Sequence, residues 1–166
     1  GNNTFASLDR SIESAGASIL NEGVIRTAEG GHAVLIADAI ENRGTIKAPL
    51  GTIALAGGNQ VTVGIASNGL VSVLVDEETA RQVLDQDGHP IADQIKNSGT
   101  LEAQGGSVLL TAKAAEQIFE SAINLDGFVN AEGFELGENG SVRAVANCNV
   151  KISGDLNLKG DSTFEL

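Results

Sequence analysis

The 166-residue chain contains no Met, Trp or Tyr, only 1 Cys and 2 Pro, and just 10 Lys and Arg against 22 Asp and Glu. Each shortage narrows the field. A formal charge of −12 argues against the basic face that nucleic-acid binding needs to neutralise phosphates. It also argues against docking on anionic membranes. No apolar run approaches the ~20 residues that span a bilayer, so membrane insertion is not expected. The single thiol, Cys148, permits no intrachain disulfide. It is expected to be a small buried hydrophobe rather than a reactive group. With no Met even at position 1, the chain reads as a processed product or a fragment, and no signal peptide is visible. Aromatics at 3% leave Val, Ile, Leu and Ala to build the interior, which suits a narrow, regularly layered core.

What is present is equally informative. Apolar residues make up 42% of the chain, which argues against disorder, and 21 Gly with so little Pro point to many turns between short strands. The same phrase is written three times. Ile19-Leu20-Asn21-Glu22-Gly23-Val24-Ile25 lines up with Ile40-Glu41-Asn42-Arg43-Gly44-Thr45-Ile46 and with Ile95-Lys96-Asn97-Ser98-Gly99-Thr100-Leu101. A degraded fourth copy keeps Ile123, Gly127, Val129 and Ala131 but has Leu125 where the others have Asn. Each full copy runs through a glycine, Gly31, Gly51 or Gly106, into a second short strand. The first copy carries one extra residue, in "AEGG", which a turn can absorb.

Alternation assigns the faces. Ile25, Ile46 and Leu101 share an inward face with Thr27, Ala48 and Ala103, while Arg26, Lys47 and Glu102 point outward. In the second strand the inward places fall to Ala33 and Leu35, Ile53 and Leu55, and Val108 and Leu110. Strands this short bury no face alone. Stacked as successive coils ~4.8 Å apart they can, and the expected fold is all-β, a parallel β-helix or β-solenoid occupying residues 1–166 as a single segment.

Asn21 and Asn42 fall at one phase of neighbouring coils. Two roles suit them: an amide ladder along the stack, or support of each turn through side-chain to backbone bonds. The next residue in phase is Val63, where a ladder would break, leaving Asn97 to restart it or to shape a turn. Two stretches depart from the repeat and are expected as short helical excursions. One spans 76–94, with Asp76 as its cap and Val83 and Leu84 on its packing side. The other spans 112–122, with Ala115, Ile118, Phe119 and Ala122 at helical spacing. Strands are expected to continue through Val142 and Ala144, Val150 and Ile152, and Leu156 and Leu158. Because the chain stops at Leu166 without a polar cap, further coils are expected in the full-length protein.

Motifs that would carry chemistry are weak. "DQDGH" at 85–89 has the outline of a calcium loop but lacks the later ligands and the bidentate Glu, and reads as a solvated turn. His32 and His89 are the only histidines, and neither has metal-ligand spacing. His32 aligns with Thr52 and Ser107 and is expected at the surface. No serine lies in a nucleophile elbow, no phosphate loop follows Gly57-Gly58, and the nonapeptides of calcium-binding β-rolls are missing. No enzyme activity, metal or cofactor is expected.

The segments "NEGVIRTAEGGHAVLIADAIENRGTIKAPLGTIALAGGNQVTV", "NGLVSVLVDE" and "IKNSGTLEAQGGSVLLTAKAA" closely resemble the filamentous haemagglutinin family. The similarity is to the later part of its N-terminal secretion domain, over about Asn3 to Gly133. It implies a right-handed parallel β-helix and an exoprotein exported across the outer membrane by a transporter of the two-partner type. The implied protein is secreted or at the cell surface and adhesive, with a host or neighbouring-cell ligand, or self-association. The family's early "NPNL" and "NPNG" motifs do not occur here, so no secretion-motif residue is carried over. A non-catalytic adhesin stalk is therefore the leading expectation. A filament or surface-layer block joined through coil ends is a second. A polysaccharide-active β-helix enzyme is a third, which the lack of Trp and Tyr for sugar stacking fits poorly.

Overall fold

Period-two alternation becomes three short strands per coil, not two, because the "I-x-N" segment is itself a strand. A computed structural model of the chain describes residues 16–131, 141–157 and 163–166. The first coil comprises β1 (Ser18–Asn21), β2 (Val24–Arg26) and β3 (His32–Ala37), and the second β4 (Ala39–Asn42), β5 (Thr45–Lys47) and β6 (Thr52–Gly57). A hairpin of β7 (Gln60–Ile65) and β8 (Val71–Glu77) intervenes. Coil three follows as β9 (Asp93–Asn97), β10 (Thr100–Glu102) and β11 (Ser107–Ala112). Coil four is β12 (Ser121–Leu125), β13 (Phe128–Asn130) and β14 (Ser141–Ala146). The last is β15 (Val150–Ile152), β16 (Asp155–Asn157) and β17 (Thr163–Glu165). Leu158, expected inward, lies outside the described residues.

Each coil gives one strand to each of three parallel five-stranded sheets: β1-β4-β9-β12-β15, β2-β5-β10-β13-β16 and β3-β6-β11-β14-β17. The chain is thus all-β with stacked parallel sheets, an architecture compatible with a β-solenoid. Register places like on like. Ile19, Ile40, Ile95, Ile123 and Val150 form one column. Ile25, Ile46, Leu101, Val129 and Leu156 form a second. Ala33, Ile53, Val108 and Val142, with Leu35, Leu55, Leu110 and Ala144 beside them, line the third sheet. Ile46, Ile53, Ile95, Leu101, Val108, Leu110 and Ile123 are wholly excluded from solvent. Each such side chain contributes roughly 1.5–3 kcal/mol of hydrophobic stabilisation. Ala48, Ala103 and Ala131 are equally buried and, being small, fit the same narrow interior.

The repeated glycines have a reason that strand patterning does not reveal. A Cβ on Gly44 would stand 2.0 Å from the carbonyl oxygen of Gly23, and one on Gly99 would stand 2.1 Å from that of Gly44. Gly127 and Gly154 repeat the approach, as do Gly51 on Gly31 and Gly106 on Gly51. These glycines are required by contact between coils. The left-handed turn position lies one residue before the second series, at Gly30 (φ 77), Leu50 (φ 54) and Gly105 (φ 71). Leu50 is the residue there that bears a Cβ.

Neither expected helix forms. Asp76, expected as a cap, is in β8 and accepts a hydrogen bond from Thr62 Oγ1. Beyond it the chain stays extended: Thr79 bridges Ala114 in parallel, and Leu84 bridges Pro90. A helix would turn Val83 and Leu84 to one side, whereas here Val83 is buried against Ala39 and Phe119 and Leu84 is exposed. Over 112–122 the alanine-rich run is drawn into the Thr79 bridge, interrupted at Gln117 (φ 68), and resumes as β12 at Ser121. Eleven residues of good helix former do not hold a helix unaided, and tertiary pairing prevails.

The hairpin replaces the coil expected around Val61 and Val63. Asn68-Gly69 turns it, with Gly69 at φ 85 and Leu70 N donating to Asn68 Oδ1. Val61 faces Val75 and Val63 faces Val73, and these valines pack over Ala56 on the outside of β6. Small outward residues, Ala54 and Ala56, let the hairpin lie close, so β6 is buried on both faces.

Candidate functional site

The residues singled out by repetition converge on a polar column inside the stack. Asn21, Asn42 and Asn97 are direct partners in successive coils. Asn21 Nδ2 donates to Asn42 Oδ1 at 2.7 Å, and Asn42 Nδ2 donates to Asn97 Oδ1 at 2.8 Å. The ladder therefore does not break at Val63, because the chain from Gly58 to Ala92 leaves the stack and coil three sits directly on coil two. The turn role is served at the same time: Asn42 Nδ2 also reaches Gly44 O (3.2 Å), Asn97 Nδ2 reaches Gly99 O (3.3 Å), and Gly23 N donates to Asn21 Oδ1 (3.2 Å). Leu125 ends the ladder, while the bond from Asn97 Nδ2 to Phe128 O (3.1 Å) repeats that from Asn42 Nδ2 to Thr100 O (3.1 Å) one coil on. Asn42 and Asn97 are fully buried, so this saturation of their amides is a condition of stability.

A second buried polar group fastens the excursion to the coils. Asp38 Oδ2 accepts from Ala17 N (2.9 Å) and Asp38 Oδ1 from Thr79 Oγ1 (2.9 Å). Gln94 Nε2 donates to Asp38 O (3.1 Å), Lys113 O (3.0 Å) and Thr79 Oγ1 (3.2 Å). Asp38, Thr79 and Gln94 are all buried. Repeat matching passes over these residues because they hold the part that does not repeat. The available signal is Asp38 interrupting the apolar run "VLIADAI" and Gln94 at an outward strand position.

On the outside, the loop from Thr79 to Ala92 overhangs the first sheet and forms an open cleft of about 600 Å³. Its walls include Glu41, Arg43, Asp85, Asp87, Asp93 and Lys96. Two of these charges, Arg43 and Glu41, form an ion pair. Arg43 Nε donates to Glu41 Oε1 (2.9 Å) and Arg43 Nη1 to Glu22 Oε2 (3.4 Å), and the bond to Glu41 leads the effects that raise the pKa of Arg43. Asp85, Asp87 and His89 lie close enough for their ligand atoms to share an ion, all exposed. Their arrangement has a simpler cause. Asp85 Oδ1 accepts from His89 N and Asp87 N, both at 2.9 Å, which closes the turn around Gly88 (φ 81). The bond from the His89 amide is the main cause of the lowered pKa of Asp85. These are the contacts of a solvated turn.

One single-residue expectation is corrected. Cys148 is exposed; it sits on the bend between β14 and β15, where none of the described strands covers it, beside Phe119 and Asn147 in a second open cleft. His32 takes the outward place expected of it, in the column of Thr52 and Ser107, and is half-buried there by close coil stacking. Its Nδ1 is enclosed without a hydrogen-bond partner.

Comparison with protein families, with characterised proteins and with solved structures finds no match for this chain. Function therefore has to be argued from the arrangement itself.

Proposed function

We propose that the chain is a non-catalytic segment of a secreted or cell-surface exoprotein. In this reading it is a right-handed parallel β-helix of the filamentous haemagglutinin kind, exported through a two-partner outer-membrane transporter and used in adhesion. The observation that carries the proposal is the coil-on-coil register, in which each coil needs only its neighbour to complete the Asn ladder and the glycine contacts. A chain of that design can fold progressively as it emerges unfolded from a pore, since its interfaces are between neighbours. Its single Cys also makes it independent of disulfide formation. The repeat residues are consumed in the interior, so contact with a surface ligand falls to the overhanging loop and the hairpin.

The test is co-expression, behind a signal peptide in a Gram-negative host, of the full-length gene product with and without a neighbouring transporter of the two-partner type. Surface protease accessibility and binding of whole cells to host cells are then measured. Transporter-dependent exposure together with chain-dependent adhesion is expected. Exposure that ignores the transporter, or turnover of an acidic polysaccharide by the purified chain, would reject the reading.

A further inference from the structure

Asparagine followed by glycine occurs at Asn68-Gly69 and at Asn139-Gly140, the second outside the described residues. The pair has a chemistry of its own, because a glycine nitrogen reaches the preceding side-chain amide with no Cβ in the way. Asn68-Gly69 stands at the tip of the hairpin, where residues 66–70 are all exposed and a Cβ placed on Gly69 would meet nothing within 4 Å. Gly69 N donates to Ala66 O (2.9 Å), Ala66 N to Leu70 O (2.9 Å) and Leu70 N to Asn68 Oδ1 (3.2 Å). These bonds join tip residues only to one another, so the tip can open without disturbing the coils. The ladder asparagines are the opposite case. Asn42 and Asn97 are wholly buried, and the nitrogens that follow them are tied to the neighbouring coil, Arg43 N to Asn21 O (2.9 Å) and Ser98 N to Asn42 O (3.0 Å).

We propose that Asn68 is a site of spontaneous deamidation, which gives the uncharged hairpin a negative charge. With the tip open, Gly69 N gives up its proton to solvent base and bonds to Asn68 Cγ, and the side-chain nitrogen leaves as ammonia. A cyclic imide results, and water then breaks one of its C–N bonds. Cleavage at Cγ restores the ordinary backbone with aspartate at position 68. Cleavage at the main-chain carbonyl of residue 68 routes the backbone through the β carbon, as isoaspartate. Water is taken up, ammonia is released and nothing is oxidised. From Gln60 to Val75 the chain bears no charged residue, so the new carboxylate is the first there. The aspartate form keeps an acceptor for Leu70 N. The isoaspartate form lengthens the turn by one backbone atom and displaces Gly69 from its left-handed place (φ 85). Neither product touches the valines that hold the hairpin on Ala56. The inference is independent of what the chain binds or how it is exported.

Peptide mapping by mass spectrometry tests it, after timed incubation of the folded chain and of the chain unfolded in guanidinium chloride, both in mildly alkaline buffer. Fragment spectra place each amide-to-acid conversion on its residue, which keeps Asn139 separate. Each asparagine is scored as its folded rate divided by its own unfolded rate, so that the influence of the following residue cancels. For Asn68 the folded rate should stay within roughly tenfold of the unfolded one, as for a segment that opens locally. For Asn42 and Asn97 it should fall by roughly a thousandfold or more, as for groups that open only with the whole fold. An isoaspartate-specific methyltransferase should label the Asn68 peptide, and Asn68→Ser should remove that label. Thermal unfolding of the incubated chain should be unchanged, since the coils are not involved. Folded-state protection of Asn68 as strong as that of Asn42 would overturn the proposal, because the bonds of the turn would then hold Gly69 N in place. Undiminished label in the same peptide of Asn68→Ser would overturn it as well, by moving the reaction to another residue.

Discussion

The stacked coils and the stretch from Gly58 to Ala92 use the same residue types to opposite effect. In the coils, alternate valines, isoleucines and leucines point into a closed interior, and every column repeats its neighbour. In the hairpin the same alternation covers one patch of an already finished sheet and leaves the other side in water. The coils are therefore constrained from above and below, whereas the excursion is tied down by one face, the Thr79 bridge and the Asp38–Thr79–Gln94 group. Substitutions of equal size should cost far more in the first region than in the second.

The largest difference is expected at glycine. Gly99→Ala would drive a methyl group into the carbonyl of Gly44 and should destabilise the chain by about 3 kcal/mol or more. Gly64→Ala meets chiefly Ser72 Oγ, a movable atom, and should cost about 1 kcal/mol or less. Urea midpoints of the two variants measure the contrast; equal midpoints would refute it. Next comes the ladder. Asn42→Leu strands the donor of Asn21 and the acceptor of Asn97, and a loss of about 2–4 kcal/mol is expected in the same assay.

Smaller effects separate anchoring from stacking. Thr79→Val removes the hydroxyl that joins Asp38 to Gln94. About 1–2 kcal/mol should be lost, with faster hydrogen exchange confined to the excursion and little change in β4, β5 and β9–β11. Uniform acceleration across the coils would show that the excursion is part of the stack's own stability. The smallest effect has the opposite sign. Leu50 occupies a left-handed turn position that Gly30 and Gly105 hold in the flanking coils, at a steric cost of roughly 1–2 kcal/mol. Leu50→Gly should raise stability by up to about 1 kcal/mol after the added freedom of the unfolded chain is subtracted. A lower melting temperature would mean that the Leu50 side chain makes contacts worth more than the strain.

Much of the stack was legible in advance. Ile46, Leu101, Ile53 and Val108 could be turned inward from period two alone, because a half-buried strand has only two faces and the charged neighbours mark the wet one. The excursion departs from its expected form for a related reason. Counting phase forward from Asn42 leads to Val63 only if the chain keeps coiling, and the "SNG" turn between valine-rich runs is the local sign that it doubles back. Helical spacing in "AKAAEQIFESA" was genuine but too short to stand against the pairing of Ala114 with Thr79.

Which residues repeat and which face they take are local matters, settled by alternation along the chain. Which coil lies on which is not local. That Asn97 meets Asn42 across 55 positions, that Gly99 must lack a side chain because Gly44 lies beneath it, and that Cys148 stays in water were decided only when the coils closed on one another. Contacts between coils depend on what the intervening chain does, and an excursion of any length leaves the same local pattern on either side.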